Sequence, residues 1–402
     1  MTVHPFIALA LAGAVFGAGY QLFQLFAVWR FFRRAPRAAP ALPHGGRLPP
    51  VTVLKPLKGP GIDLYANLAS FCRQDYPAYQ IVFGVEDPSD PAVAVVRQIR
   101  RDFPSRDIVL SVGRMPGANR KVANLQHMMR HARHDVLVLS DGDIRVRPDY
   151  LRAVVAPLAD PTVGLTTCLY RGVGRFGLPS VVESLFINTD FMPMVLAAQI
   201  VQRFEYAYGA SIALRREAFN RIGGFAPLAD YLADDYLLGN RIAKAGYRLV
   251  LLPYSVETVL DSVTFRDVFR HQLRWVRTYR VQQPFNWFLT ILTHATMWGV
   301  VAALATGGPA GWGVLAGALA VRLGTLAAVL RLLGDRSTPR YLWLVPLKDL
   351  FSSLMWAAAF LGRQVTWSEQ VLRIQRDGRM VPIAPAPALP AEHAEGLRVA
   401  RG

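Results

Sequence analysis

Apolar positions along this chain follow two different patterns. From Val51 onward, short apolar runs alternate with amphipathic stretches. "VTVLKPLKG" (51–59), "YQIVFGVEDPSD" (79–90), "DIVLSVG" (107–113) and "DVLVLSDGD" (135–143) read as strands. Between them, "LYANLASFCRQ" (64–74), "PAVAVVRQIRRDF" (91–103) and "KVANLQHMMRHA" (121–132) have helical spacing. Strands alternating with helices predict an α/β domain with a mostly parallel sheet. Ligands of such sheets bind at the carboxyl ends of the strands. Lys55, Glu86, Asp87, Asp141 and Asp143 all fall there.

Elsewhere the apolar runs are too long for strands. Pro5 to Trp29 carries no charged residue and is long enough to cross a bilayer. Arg30, Arg33, Arg34 and Arg37 follow it, the reverse of a signal peptide. The positive-inside rule therefore puts the N-terminus outside and the next segment in the cytoplasm. Residues 35–50 are rich in Pro, Ala and Gly and read as a linker. Three more apolar stretches lie at about 285–306, 311–333 and 341–362, the last interrupted by Pro346, Lys348 and Asp349. Three full crossings would leave the basic segment after residue 362 outside, against the same rule. One stretch is therefore interfacial or re-entrant, or the basic segment breaks the rule. Residues 185–204 are apolar and rich in Met and Phe, as expected of either a core helix or a surface that admits lipid. The expected organisation is an anchor (1–30), a linker (31–50), a catalytic domain (51–284), membrane segments (285–363) and a basic, Pro- and Ala-rich tail (364–402) whose end is disordered.

Composition sharpens this picture. The chain has 402 residues, 52% hydrophobic, with a mean hydropathy of +0.24. That suits a soluble domain joined to membrane segments. The formal charge is +17. Nucleic acid is one partner for so basic a chain. The placement of arginines beside apolar segments favours an anionic inner leaflet and a negatively charged substrate, without nucleic acid. Cys72 and Cys168 lie too far apart in sequence for a disulfide framework or a zinc site.

Four stretches carry candidate chemistry. Asp141 and Asp143 straddle Gly142 at a strand end, and like charges that close stay ionised when a hard divalent cation sits between them. Asp234 and Asp235 open an amphipathic helix, where they either cap it or supply a general base. Arg270, Arg274, Arg277 and Arg280 recur at helical spacing, as a basic interfacial face or as a guanidinium near a diphosphate, with Trp275 beside the acceptor. "PGANRKVANL" (116–125) leads a glycine-bearing turn into a helix start carrying Lys121 and Asn124, which suits phosphate.

Together these motifs resemble the inverting family 2 and family 21 glycosyltransferases, ceramide glucosyltransferases most of all. The matching positions are Asp87 in "GVEDPSD", Asp141 in "SDGDIRV", Asp235 in "LADDYLLG" and Arg274-Trp275 in "HQLRW". "VLKPLKG" with Lys55 and Pro56, "NRKVANL" with Asn119, Lys121 and Asn124, and "YGASIALRREAFNRIGGF" with Gly209 also look like family signatures. The resemblance implies a GT-A fold, a UDP-sugar donor and Mg²⁺ or Mn²⁺ held by Asp141 and Asp143. In it, Lys55 and Asp87 border the uridine, Lys121 lies near the phosphates, and Asp235 deprotonates a lipid hydroxyl. His271 stands where the family has Gln or Arg, and Asp143 is an acid that ceramide glucosyltransferases typically lack. The variant with "SDGDIRV" and "HQLRW" looks most like bacterial hopanoid-biosynthesis-associated glycosyltransferases, understood to place N-acetylglucosamine on bacteriohopanetetrol. The expected setting is the bacterial inner membrane. The rivals are a ceramide acceptor, a processive polysaccharide synthase and a membrane-tethered nucleic-acid binder.

Overall fold

A computed structural model describes residues 4–34, 48–174, 177–367 and 370–383. Most of the expected linker, and the end of the expected tail from residue 384, lie outside the described residues.

The expected strands and helices of the first half all form. β1 (Val51–Pro56), β2 (Tyr79–Val85), β3 (Asp107–Val112) and β4 (Val136–Leu139) pair in parallel, in the order β3-β2-β1-β4. β2 and β4 are buried along their whole length, because helices cover both faces of a parallel sheet and every position can be apolar. Four further strands complete an eight-stranded sheet: β5 (Ile144–Arg145), β6 (Val163–Gly174), β7 (Ile212–Arg215) and β8 (Arg248–Leu260). β7 runs antiparallel between β4 and β6, and β8 pairs in parallel with β6. The connection leaves β1 for β2 on one side and returns for β4 on the other. The carboxyl ends of β1 and β4 therefore flank the crevice where such sheets bind ligands.

Helix Pro5–Arg34 and helix Pro309–Leu332 are long and apolar enough to span a membrane, as is the bent pair Pro284–Thr293 and Ala295–Thr306, whose halves meet at 52°. Helix Leu178–Val201 passes the same length test but is 61% buried over its apolar window. It joins β6 to β7 within one sheet, so it cannot make a lone crossing. A π-helical turn at Phe186–Phe191 interrupts it. The core alternative holds for this segment, with one face on the cavity described below.

Two parts of the C-terminal region differ from expectation. The third apolar stretch forms a helix of only 14 residues, Val345–Ala358. Its two charges are buried in a tetrad with residues of other helices. Lys348 Nζ lies 2.6 Å from both oxygens of Asp190, in the π-helical turn, and 2.7 Å from Asp349 Oδ1. Arg322 Nη2 donates to Asp190 at 2.5 Å and to Asp349 at 2.9 Å. Two acids thus neutralise two bases. The expected tail folds in its first part. Strands Gln364–Trp367, Gln370–Ile374 and Met380–Pro382 make an antiparallel sheet. It packs Val365, Leu372, Ile374 and Met380 against Leu232 and bonds to the catalytic domain through Met380 N to Asp230 O at 2.7 Å.

Candidate active site

A cavity of about 800 Å³ opens at the carboxyl ends of β1 and β4 and continues between the membrane helices. Asp141 and Asp143 enter it from the loop after β4, and Pro56 and Glu86 from the ends of β1 and β2. Lys121 and Asn124 come from helix Arg120–Met128, and Asp234 and Asp235 from the first turn of helix Asp234–Lys244.

Asn119 sets the relation between those two helices. Its Oδ1 caps the first by accepting from Val122 N at 3.0 Å. Its Nδ2 donates to Tyr231 O at 2.7 Å and to Asp234 Oδ1 at 3.3 Å. Asn119 itself is fully buried and does not line the cavity. The clamp brings Lys121 Nζ to 2.6 Å from Asp141 Oδ1 and 3.7 Å from Asp234 Oδ2. Gly209 faces the same cluster. Its amide donates to Asp235 Oδ2 at 2.8 Å, and Tyr236 N donates to Asp235 Oδ1 at 2.8 Å. A Cβ on Gly209 would stand 3.2 Å from both Asp235 Oδ2 and Lys121 Nζ.

The electrostatics follow from burial among like charges. Asp143 is solvent-accessible within the cavity, whose walls thin the water around its carboxyl. That desolvation, and then the Asp141 charge, pushes the Asp143 carboxyl up to about 7. Burial also raises Asp234 to about 6 and raises Asp235, in each case against the pull of Lys121. Burial opposes the Lys121 charge, but Asp141, Asp234 and Asp235 together hold its pKa above the ordinary lysine value.

Lys55 and Asp87 do not line the cavity. Lys55 is fully buried beneath the Asp141 loop, donating to Asp141 O at 2.6 Å and sitting 3.8 Å from the centre of the Phe71 ring. Burial brings its pKa down to about 7. Lys55 supports the loop from below, where the resemblance put it beside uridine. Asp87 is exposed and turns to accept from Ser89 N at 2.8 Å and Ser89 Oγ at 2.6 Å. The neighbouring Glu86 lines the cavity, held by Nε and Nη2 of the Arg120 guanidinium. Asn124 donates to Gly84 O at 2.9 Å, tying its helix to β2.

His271, Arg274 and Trp275 line the same cavity from helix Phe265–Gln282. Trp275 packs edge-on to His271 at 5.0 Å between ring centroids and against Phe191 at 5.7 Å. Arg274 lies 5.9 Å from the Trp367 ring of the C-terminal sheet. Two partners were missed in the sequence. Glu183 is 1% exposed and accepts from both His271 Nδ1 and Ser262 Oγ. Its signal was available, as a lone acid in the apolar run "SVVESLF". Trp367 closes the stretch "GRQVTW" (362–367), which also looks like a family signature, but the segment was read as a tail and its strands were not foreseen.

Comparison with known proteins decides the family. The profile described as Glycosyl transferase family 21 matches residues 9–380. The chain belongs to glycosyl transferase family 21. Ceramide glucosyltransferase 1 of Caenorhabditis elegans is 26% identical over 300 residues, covering 74% of this chain and 64% of that protein. Ceramide glucosyltransferase 3 of the same organism is 23% identical, covering 83% and 75%. The chain thus spans about two thirds to three quarters of these curated family members. Among solved structures, a mannosyltransferase from Pyrobaculum calidifontis, in complex with GDP-Man and Mn²⁺, matches with a TM-score of 0.54 at 24% identity, covering 89% of this chain and 98% of that one. That likeness supports the GT-A fold. The family 21 chain is a glycosyltransferase with apolar helices on both sides of its catalytic domain.

Proposed function

We propose that this enzyme moves a sugar from a UDP-sugar to a hydroxyl of a membrane lipid, inverting the anomeric carbon. One observation carries the reading. A single cavity joins the cluster of Asp141, Lys121, Asp234 and Asp235 to side chains of the membrane-length helices, among them Gln21, Thr293 and Arg322. A polar donor and an apolar acceptor can therefore meet without either leaving its own phase.

Asp235 is the general base in this mechanism. Two backbone amides fix both of its oxygens, and its raised pKa makes it a stronger base than an exposed aspartate. Lys121 and Arg274 both line the cavity, where their positive charges can be shared with the diphosphate. No group of three or more His, Cys, Asp or Glu able to hold a metal alone occurs among the described residues. Two carboxylates suffice where substrate phosphates complete the shell, so Asp141 and Asp143 fit Mg²⁺ or Mn²⁺. A cation there supplies Lewis-acid neutralisation of the leaving diphosphate. The catalytic domain would face the cytoplasm of a bacterial inner membrane, supported by the arginines after residue 29.

Two donor–acceptor pairs follow. Asp143 and His271 favour UDP-N-acetylglucosamine and bacteriohopanetetrol, through the motif resemblance. The curated family members favour UDP-glucose and ceramide. Membranes containing the enzyme, incubated with each labelled UDP-sugar and each lipid, would separate them by the lipid product. Label in a polymer without added lipid would instead mark a processive synthase. No lipid-linked label from any pair would sink the proposal.

A further inference from the structure

The segment after helix Pro309–Leu332 begins and ends on the catalytic domain. At its start, Asp335 accepts from Asn188 Nδ2 at 3.2 Å and lies 3.7 Å from Arg171 Nη1 on β6. At its end, Arg277 Nη2 donates to Leu361 O at 3.0 Å and Arg280 Nη2 to Gly362 O at 2.9 Å. Both ends are therefore on one side of any membrane that the chain crosses. Helix Val345–Ala358 lies between them. Its 14 residues reach only ~21 Å, short of a ~30 Å hydrocarbon core.

The faces of this helix are inverted relative to those of a soluble protein. Lys348 is 2% exposed, and Asp349 joins it in the buried tetrad. Leu347, Leu350, Leu354 and Leu361 point outward with exposures of 69%, 38%, 57% and 80%. Leu347, Leu350 and Leu354 fall in one stripe at ~100° per residue, and Leu361 lies just past the helix end. Trp343 is 70% exposed one turn before the helix, and Phe269, 37% exposed, packs its ring against Phe351. Arg331, Arg336 and Arg340 are exposed before the helix, and Arg363 after it. Apolar stripe outward, charges inward and arginines at both ends are what a dip into an anionic leaflet requires.

We infer that Val345–Ala358 is a re-entrant membrane helix that enters the catalytic-side leaflet and leaves it on the same side. It seats the cavity floor in lipid. The inference rests on the membrane reading above. With the bent pair and Pro309–Leu332 each crossing once, the chain returns to the catalytic side, where its C-terminal sheet is bonded to that domain. The parity problem posed by the sequence is thereby removed.

Single cysteines at Arg336, Arg363 and Ser105, an exposed catalytic-domain position, would test it with a membrane-impermeant maleimide on sealed vesicles of both orientations. Native Cys72 and Cys168 are buried, and wild-type protein gives their background. All three new cysteines are expected to label in the same orientation and to lose labelling in the other. A fluorophore at Leu347→Cys or Leu354→Cys, in reconstituted phosphatidylcholine–phosphatidylglycerol vesicles, is expected to shift to the blue and to be quenched by spin-labelled acyl chains. At Val371→Cys, on the C-terminal sheet, it is expected to do neither. Labelling of 336 and 363 in opposite orientations would make the helix a span and overturn the inference. Same-side labelling with water-like emission at 347 and 354 would overturn it too. Recovery of the wild-type protein in the soluble fraction, with 105 labelled in both preparations, would overturn the membrane reading itself.

Discussion

Gly209 donates its amide proton to Asp235 Oδ2 at 2.8 Å and leaves only tight space beside that oxygen for a side chain. Gly209→Ala would put a methyl group 3.2 Å from both Asp235 Oδ2 and Lys121 Nζ. We expect the variant to keep its melting temperature within about 2 °C, since a surface-of-cavity change away from the core costs ~0.5 kcal/mol or less. Its transfer rate should fall at least ~10-fold, because misplacing a reacting group by a fraction of an ångström is costly. Wild-type turnover would show that the amide is not positioning the carboxylate.

Asp234 and Asp235 project ~100° apart on their helix. Asp235→Asn is expected to bind UDP-sugar normally while losing ~10²–10⁴-fold in transfer, the range for a missing general base. Asp234→Asn should retain more transfer. A wild-type rate in Asp235→Asn would move the base elsewhere, with His271 the first residue to examine.

Metal binding should depend on pH with a definite sign. The Asp143 carboxyl, raised by desolvation and Asp141 to about 7 in the folded protein, holds its proton where the unfolded chain has lost it. Through this group the metal-free protein loses stability as pH rises from the ordinary aspartate range to about 7, and then levels. A cation must displace that proton, so the rise in melting temperature given by saturating Mn²⁺ should be larger at pH 8 than at pH 6. Equal shifts at both would remove Asp143 from the site. Lys55→Met takes away a positive charge that favours the ionised form of Asp143, so it should move the midpoint of this dependence upward.

The tetrad of Asp190, Arg322, Lys348 and Asp349 gives a stability prediction. Lys348→Met leaves the two partly buried acids, Asp190 and Asp349, with Arg322 alone and should cost ~3 kcal/mol or less. Lys348→Met combined with Asp349→Asn restores the charge balance and should be less destabilising than the sum of the two single changes, read from thermal unfolding in detergent. Strict additivity would mean that the four groups do not act as a unit.

Much of the catalytic half was legible in the sequence. β2 and β4 are continuous apolar runs, and their carboxyl ends carry the acids, so fold and site were visible together. The second half was less so, because β7 runs antiparallel between β4 and β6, and the strand–helix alternation that marks the first half gives no sign of that reversal. Side-chain direction was not legible. Glu86 and Asp87 are adjacent, yet the turn at Ser89 sends only Glu86 into the cavity. Lys55 alternates with its neighbours on β1 in a way that puts it under the loop, a fact that needs the third dimension. Residues 364–383 were read as a tail, because their strands pair with one another and their tie to the rest of the fold, at Tyr231 and Asp230, is far away in sequence.

Trp367 reaches the cavity from strands that follow all the candidate membrane helices among the described residues. Protein synthesis proceeds from the N-terminus, so the wall facing Arg274 is made after the acids and after those helices. A chain still on the ribosome, with its acids already folded, lacks that wall until the hydrophobic helices have left the exit tunnel and found the bilayer. Order of manufacture thereby ties completion of the site to delivery, and an enzyme stranded before insertion would hold an open and unfinished pocket.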